Sequence, residues 1–455
     1  MLQRYIAVIS LLFVLFPPLL LANNSNKNET LSTEDKLYGL SLLWKEVNYN
    51  FAYFNQVPEL DFDAAYQATI PKILATNNTF EYYRELRRFM ALLKDGHTGV
   101  YYPARESKQY FNWPAIWAIE AEGEAIVVSI DNQLQSEIPL GSKIISVDGL
   151  EFSSHLKQKV MPYISSSTKH ALLENSVIAA FSSDDIMSSE IIVGFISPSG
   201  TKGKIKLVRD ARWRHINYSS LNYPSPITEG NEVSFELKWL DEGVLYIALN
   251  SFHDRSIYQK FLESFHVIEK AQTLIIDIRL NGGGDGNIGA QILSHLTQRK
   301  LEGSKWETPK HIAAYKAWGR NLKDSNSNNT LETGHAPTIY PHNNAHVVPT
   351  FVLTSRYTGS AAEDFLVYVD KVKHFTIIGE STNGSTGQIL TLDLPGGGKA
   401  RICTKRDFYP DGREFVGVGI KPDIYIERKI DDIINERDVV LQQAIIEARK
   451  KVVNK

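Results

Sequence analysis

The spacing of apolar residues changes character along the chain, and each change marks a different kind of element. From residue 31 to about 104 the apolar positions recur three or four apart, as in helices with one buried face. Ser32-Thr-Glu-Asp35 offers a capping hydroxyl ahead of Leu37, Leu40, Leu42 and Leu43. A second helix is predicted over Phe80 to Lys94, with Tyr82, Leu86, Phe89, Met90 and Leu93 on one side. Asp95-Gly96 reads as its stop, so His97 follows directly. Between about 110 and 210 the pattern shortens to β runs and turns: Ala125 to Ile130, Ile191 to Ile196 and Lys204 to Val208. Among them Ile138-Pro-Leu-Gly-Ser-Lys-Ile-Ile-Ser-Val-Asp-Gly149 reads as a turn, a strand and a tight Asp-Gly turn.

From about 233 to 428 strand and helix patterns alternate. Strands are predicted at Val244 to Leu249, Leu274 to Leu280, Thr350 to Leu353 and Thr376 to Ile378. Helices fall between them at Ile257 to Lys270, Ile288 to Leu296 and Ala361 to Val369, which implies an α/β unit with a mostly parallel sheet. Lys323 to Asn344 is polar and without periodicity, in keeping with a rim or lid beside a cleft. A closing helix, Asp431 to Lys451, ends in basic residues that suit the helix dipole.

Composition narrows the class. At 455 residues the chain exceeds one simple core, so two or three domains are expected. A net charge of −3 without a long basic run gives no electrostatic case for nucleic acid. Arg4 precedes an apolar run, Ile6 to Leu21, and a polar stretch follows Ala22. That is the layout of a secretory signal peptide over 1–22, an uncleaved anchor being the alternative; Pro17 and Pro18 argue against a span. No stable membrane span is expected after cleavage, and a periplasmic or extracellular location follows. Cys403 is the lone cysteine, which rules out an internal disulfide framework and a cysteine metal site. His342-Asn-Asn-Ala-His346 has ligand-like spacing but sits in a polar loop after Pro341, a poor case for a metal.

Two turns carry the chemistry. Thr273-Leu-Ile-Ile-Asp-Ile-Arg-Leu-Asn-Gly-Gly-Gly284 is a β run breaking into glycines that offer backbone N–H groups. Phe351-Val-Leu-Thr-Ser-Arg-Tyr-Thr-Gly-Ser-Ala-Ala-Glu363 is another, with Ser360 uncrowded where a helix begins and the Ala361 N–H aimed alike. A donor loop and a hydroxyl at a strand-to-helix turn are what acyl transfer needs; a plain helix cap is the bland alternative. The glycine run lacks the endings of a phosphate-binding loop.

With Gly379-Glu-Ser-Thr-Asn-Gly-Ser-Thr-Gly387 and Gly417-Val-Gly-Ile-Lys-Pro-Asp423, these segments resemble the tail-specific, or C-terminal processing, serine protease family. Ile138 to Gly149 resembles a PDZ segment, a type that binds peptides by strand addition and holds terminal carboxylates. The resemblance implies an α+β / α/β multidomain chain. Its parts are an N-terminal helical region (31–104) carrying His97, a PDZ-like β domain (110–210), a crotonase/ClpP-like α/β protease core (233–428) and a C-terminal helix (431–455). It implies a polypeptide substrate, engaged through its C-terminus, no metal or organic cofactor, and no stated oligomeric state.

By the same resemblance Ser360 is the nucleophile, and Gly283 or Gly284 joins Ala361 in holding the oxyanion. Asp277 and Arg279 hold the glycine turn in shape. The family's lysine branch places its base in a T-x-G-K-G segment. Here that segment reads Thr382-Asn-Gly-Ser-Thr386, with Ser385 at the lysine position. Lys94-Asp-Gly-His-Thr98 instead matches the D-x-H-T segment of the tricorn-like branch, which makes His97 the base. That branch orients its histidine with a preceding serine and a distant glutamate; Gly96 replaces the serine, leaving Thr98 and Glu414 as candidates. A non-catalytic lipid- or peptide-binding protein on the same fold is the alternative reading.

Overall fold

The computed structural model describes residues 31–104, 106, 112–182, 189–211, 216–224, 233–318 and 331–453. The expected signal segment 1–22 lies outside them, as do residues 323–330 of the polar stretch. Helix α1 (Thr33–Asn50) is capped by the Ser32 side chain, which accepts the Asp35 N–H. Helices α2 (Phe62–Leu74) and α3 (Thr79–Ala91) follow. Helix α3 ends three residues short of Lys94, which adopts φ +49° and swings the chain into the turn bearing His97. Strand β1 (Gly99–Tyr101) then pairs with a strand of the C-terminal half.

The inserted domain is an antiparallel sheet. Its main path is β2 (Ile116–Ala121), β3 (Glu124–Asp131), β4 (Lys143–Val147), β5 (Glu190–Ile196) and β6 (Lys202–Val208), in that order. Helix α4 (Lys169–Ala179) lies between β4 and β5 in sequence and packs against β2. No apolar stripe announces α4, because Glu174 and Ser176 are among the residues it buries. The domain keeps its own apolar core, including Val127, Ile144, Val147, Val193 and Leu207. The edge strand β2 is buried, and the Glu120 carbonyl accepts a hydrogen bond from Arg428. Strand addition at this edge therefore requires the insert to part from the rest of the chain.

The largest unit is a six-stranded sheet built from β7 (Phe235–Asp241), β8 (Val244–Leu249), β9 (Thr273–Asp277), β10 (Thr350–Thr354), β11 (Phe375–Gly379) and β14 (Ile424–Tyr425). All pairings are parallel except β7 with β8. Strands β12 (Ile389–Asp393) and β13 (Lys399–Cys403) form a second sheet with β1. The polar stretch near 331 contains a strand after all: Leu331–His335 pairs with Lys305–Pro309, so a partner 20-odd residues away supplies what local periodicity lacks.

Helix α5 (Ala361–Val369) covers one face of the main sheet, and α6 (Val439–Val453) covers the other with Ala444 and Ala448. One apolar cluster joins Leu40, Leu43, Leu86, Phe89 and Met90 of the N-terminal helices to Leu245, Ile276, Val352 and Phe365 of the sheet unit. The helical region is thus part of the core, and this shared packing fixes His97 against the sheet.

Candidate active site

Two strand ends meet at the site. After β9 the chain makes the glycine turn, and after β10 it runs through residues 355–359 into α5. The two are stitched together: Thr358 Oγ1 donates to the Ile278 carbonyl at 3.0 Å, and the Gly359 N–H to the Asn281 carbonyl at 3.1 Å. Beneath, Arg279 is buried between Asp277 (2.6 Å) and Asp438 (2.6 Å). Burial opposes its charge, but the two carboxylates outweigh it and hold the guanidinium firmly protonated. Asp277 and Arg279 therefore brace the turn and do not enter the site.

Ser360 has φ +54° and ψ −127°, a conformation disfavoured for a residue with a side chain. The loop is held there by the Ser360 N–H, which donates to the Ser385 carbonyl at 2.9 Å and to Glu363 Oε2 at 3.2 Å. The strain turns Oγ toward the N-terminal helices, where His97 Nε2 lies 3.0 Å away. The other ring nitrogen, Nδ1, is 2.6 Å from Ser385 Oγ. Burial lowers the His97 pKa below its ordinary value; Asp95 counters part of that, and Arg401 adds to it. The ring thus stays neutral near pH 7, as a proton acceptor needs to be.

Gly283, with φ +105°, touches the serine: a Cβ there would lie 2.5 Å from Ser360 Cβ. Its N–H is already engaged by Asn281 Oδ1 at 2.9 Å. Gly284, with φ +134°, passes against the Phe252 backbone, where a Cβ would come within 2.2 Å. The Ala361 N–H, at the start of α5, is among the orphan donors of a helix end. Ser360, His97, Gly283 and Ala361 are thus brought together.

Two of the sequence candidates stand elsewhere. Thr98 donates to Asp95 Oδ2 at 2.6 Å and accepts the Cys403 N–H at 3.0 Å, so its hydroxyl does not serve the His97 ring. Glu414 is 48% exposed and pairs with Arg406 at 2.9 Å. A turn in which the Tyr409 N–H donates to the Arg413 carbonyl places it opposite Phe408, away from the site. Nearness to Gly417 in sequence does not carry through the turn.

Three groups at the site were not among the candidates. Ser385 touches the histidine. Asp95, buried, accepts from Thr98 and from Ser167 Oγ (3.2 Å), and burial raises its carboxyl. Glu363 lies under the serine, accepting from the Thr382 hydroxyl and from the N–H groups of Gly384 (2.8 Å) and Ser385 (2.9 Å). Burial pushes the Glu363 carboxyl up to about 8 despite those donors. Its sequence signal was the Ser360-to-Glu363 spacing of a capping box, which reads as helix punctuation.

A strained serine against a neutral histidine, with the Ala361 amide at a helix start, is the arrangement of a serine-type peptidase site. Residues 243–426 match the family model described as peptidase family S41. The fold is shared with mature CPAF complexed with lactacystin, at 18% identity over 92% of this chain and 98% of that one, TM-score 0.71. Mature CPAF alone gives TM-score 0.68 at 17% identity, over 88% of this chain and 94% of that one. A putative peptidase from Parabacteroides merdae ATCC 43184 gives 0.50 at 16% identity, over 92% and 97%.

Proposed function

We propose that the protein is an exported serine endopeptidase of the histidine-base type, cleaving peptide bonds within polypeptides. The observation that carries this is the 3.0 Å approach of His97 Nε2 to Ser360 Oγ at a backbone strained to present it. Ser360 Oγ attacks the peptide carbonyl as its proton passes to Nε2. The tetrahedral oxyanion takes the Ala361 N–H and a donor of the glycine turn, where Gly284 is the better candidate because Gly283 serves Asn281. His97 then returns the proton to the departing amine, and water releases the acyl group by the same steps reversed.

The test is intact mass after exposure to a fluorophosphonate, together with hydrolysis of an unstructured polypeptide. Ser360→Ala is expected to abolish labelling and lower turnover on the order of 10⁶-fold with unchanged circular dichroism, and His97→Ala to lose nearly as much. Labelling that survives Ser360→Ala would end the assignment, and labelling that survives His97→Ala would move the base elsewhere.

Export rests on the apolar Ile6 to Leu21 run, and a periplasmic or extracellular product beginning near Asn23 is expected by N-terminal sequencing. Among the described residues no helix is long and apolar enough to cross a membrane. The PDZ-like insert is proposed to present or gate the substrate by its C-terminus. Peptides with free and amidated C-termini cleaved at equal rates would remove that part.

A further inference from the structure

The Ser385 hydroxyl meets the ring nitrogen of His97 that faces away from Ser360. Nε2 can accept the serine proton only with its lone pair free, so the ring hydrogen belongs on Nδ1, donating to Ser385 Oγ. Ser385 is only 3% exposed, so bulk water has little access to that post. Its backbone is held on both sides: its N–H donates to Glu363 Oε2 at 2.9 Å, and its carbonyl accepts the Ser360 N–H at 2.9 Å. The hydroxyl is therefore fixed relative to both Ser360 and His97, while contributing nothing to those two backbone contacts.

Gly96 completes the picture. A Cβ at 96 would stand 2.7 Å from Ser385 Oγ and 3.1 Å from Ser385 Cβ, and no left-handed φ bars a side chain there. The space a side chain of residue 96 would enter is thus filled from a loop 289 positions away, by a hydroxyl. We propose that Ser385 is the positioning residue of His97, standing through space where a hydroxyl on residue 96 would otherwise stand. It fixes the Nδ1–H tautomer and accepts that hydrogen more strongly once the ring is positive. The proposal rests on the reading of Ser360 as nucleophile and His97 as base.

The rate of fluorophosphonate labelling of the full chain, followed by intact mass from about pH 5 to 9, tests it across the range where a histidine titrates. Ser385→Ala is expected to slow labelling about 10- to 100-fold, the range for losing a hydrogen bond to a charged group. The acid limb should move to lower pH, because the imidazolium loses more than the neutral ring. Gly96→Ser alone is expected to be slow, since it collides with Ser385. In the Ser385→Ala background Gly96→Ser should restore most of the lost rate. Parental rate and pH profile in Ser385→Ala would overturn the proposal, as would a fall in melting temperature with an unmoved acid limb. Should Ser385→Ala fail to fold, the ¹⁵N imidazole signals of His97 in the parent decide: a hydrogen on Nδ1 upholds the proposal, and one on Nε2 overturns it. Labelling indifferent to Ser360 or His97 would instead sink the underlying reading. Dependence on both with indifference to Ser385 would sink this proposal alone.

Discussion

Two groups of buried carboxyls flank the Ser360 loop, one compensated by guanidiniums and the other by neutral donors. On the insert side Glu120, Glu174 and Glu380 meet two guanidiniums: Arg356 contacts Glu120 and reaches Glu380 at 2.9 Å, while Arg428 reaches Glu174 at 3.2 Å and Glu380 at 3.0 Å. Tyr357, three residues before the serine, donates to Glu174. Burial would raise Glu380, but Arg428 and Arg356 override it and hold the carboxyl below its usual range, whereas at Glu174 burial outweighs Arg428 and the carboxyl stays raised. On the histidine side Asp95 and Glu363 have only neutral donors, hydroxyls and backbone amides, and burial raises both. Fixed charge paired with fixed charge makes a joint between insert and catalytic loop. Of the carboxyls held by neutral donors, Asp95 stays responsive to a proton arriving on His97.

Removing a cation from the paired group should have the largest effect. Arg428→Met leaves Glu174 with only the more distant Arg356 (3.7 Å) and Glu380 with Arg356 alone, and is expected to cost about 3–5 kcal/mol, read from the urea midpoint. Buried carboxyls that lose a cation rise in pKa, so the deficit should be smallest below about pH 4.5 and grow as pH rises. A deficit independent of pH would mean the carboxyls are not the cause.

On the histidine side a charge change should touch function more than stability. Asp95 raises the His97 pKa, so Asp95→Asn is expected to move the acid limb of Ser360 labelling to lower pH. The parent limb itself should fall below about 6.5, since burial lowers His97. An unmoved limb would show that Asp95 carries no charge in the folded protein.

The smallest effect belongs to a carboxylate outside both groups. Glu414→Ala loses one half-exposed pair with Arg406 and is expected to change stability by no more than about 0.5 kcal/mol and leave the labelling rate unaltered. A large loss of rate would return Glu414 to the site.

What could be read from the chain alone follows the same division between local and through-space order. Ser360 and the glycine turn announced themselves because a strand breaking into small residues is a local pattern. His97 was legible from its place just after a helix stop and from its segment. Ser385 and Glu363 were not, because their importance arises from contacts across 19 to 288 positions, and Asp95 reads only as part of a helix stop until Ser167, 72 positions away, joins it. Helix α4 escaped for a related reason: it buries Glu174 and Ser176, so its inner face does not look apolar. Glu414 misled because a turn between Tyr409 and Arg413 reverses the chain before the glycines that were expected to bring it inward.

Ser360 and His97, the proposed nucleophile and base, lie 263 positions apart and meet through the apolar cluster shared by the N-terminal helices and the sheet. Ribosomal synthesis at about 5–20 residues per second delivers the serine between about 13 and 53 seconds after the histidine. Throughout that interval the emerging chain holds half an active site, and the second half becomes useful only when α5 has docked. On the proposed assignment, cleaving power is timed to the end of folding, which spares the polypeptide's own unfolded segments while they are most exposed.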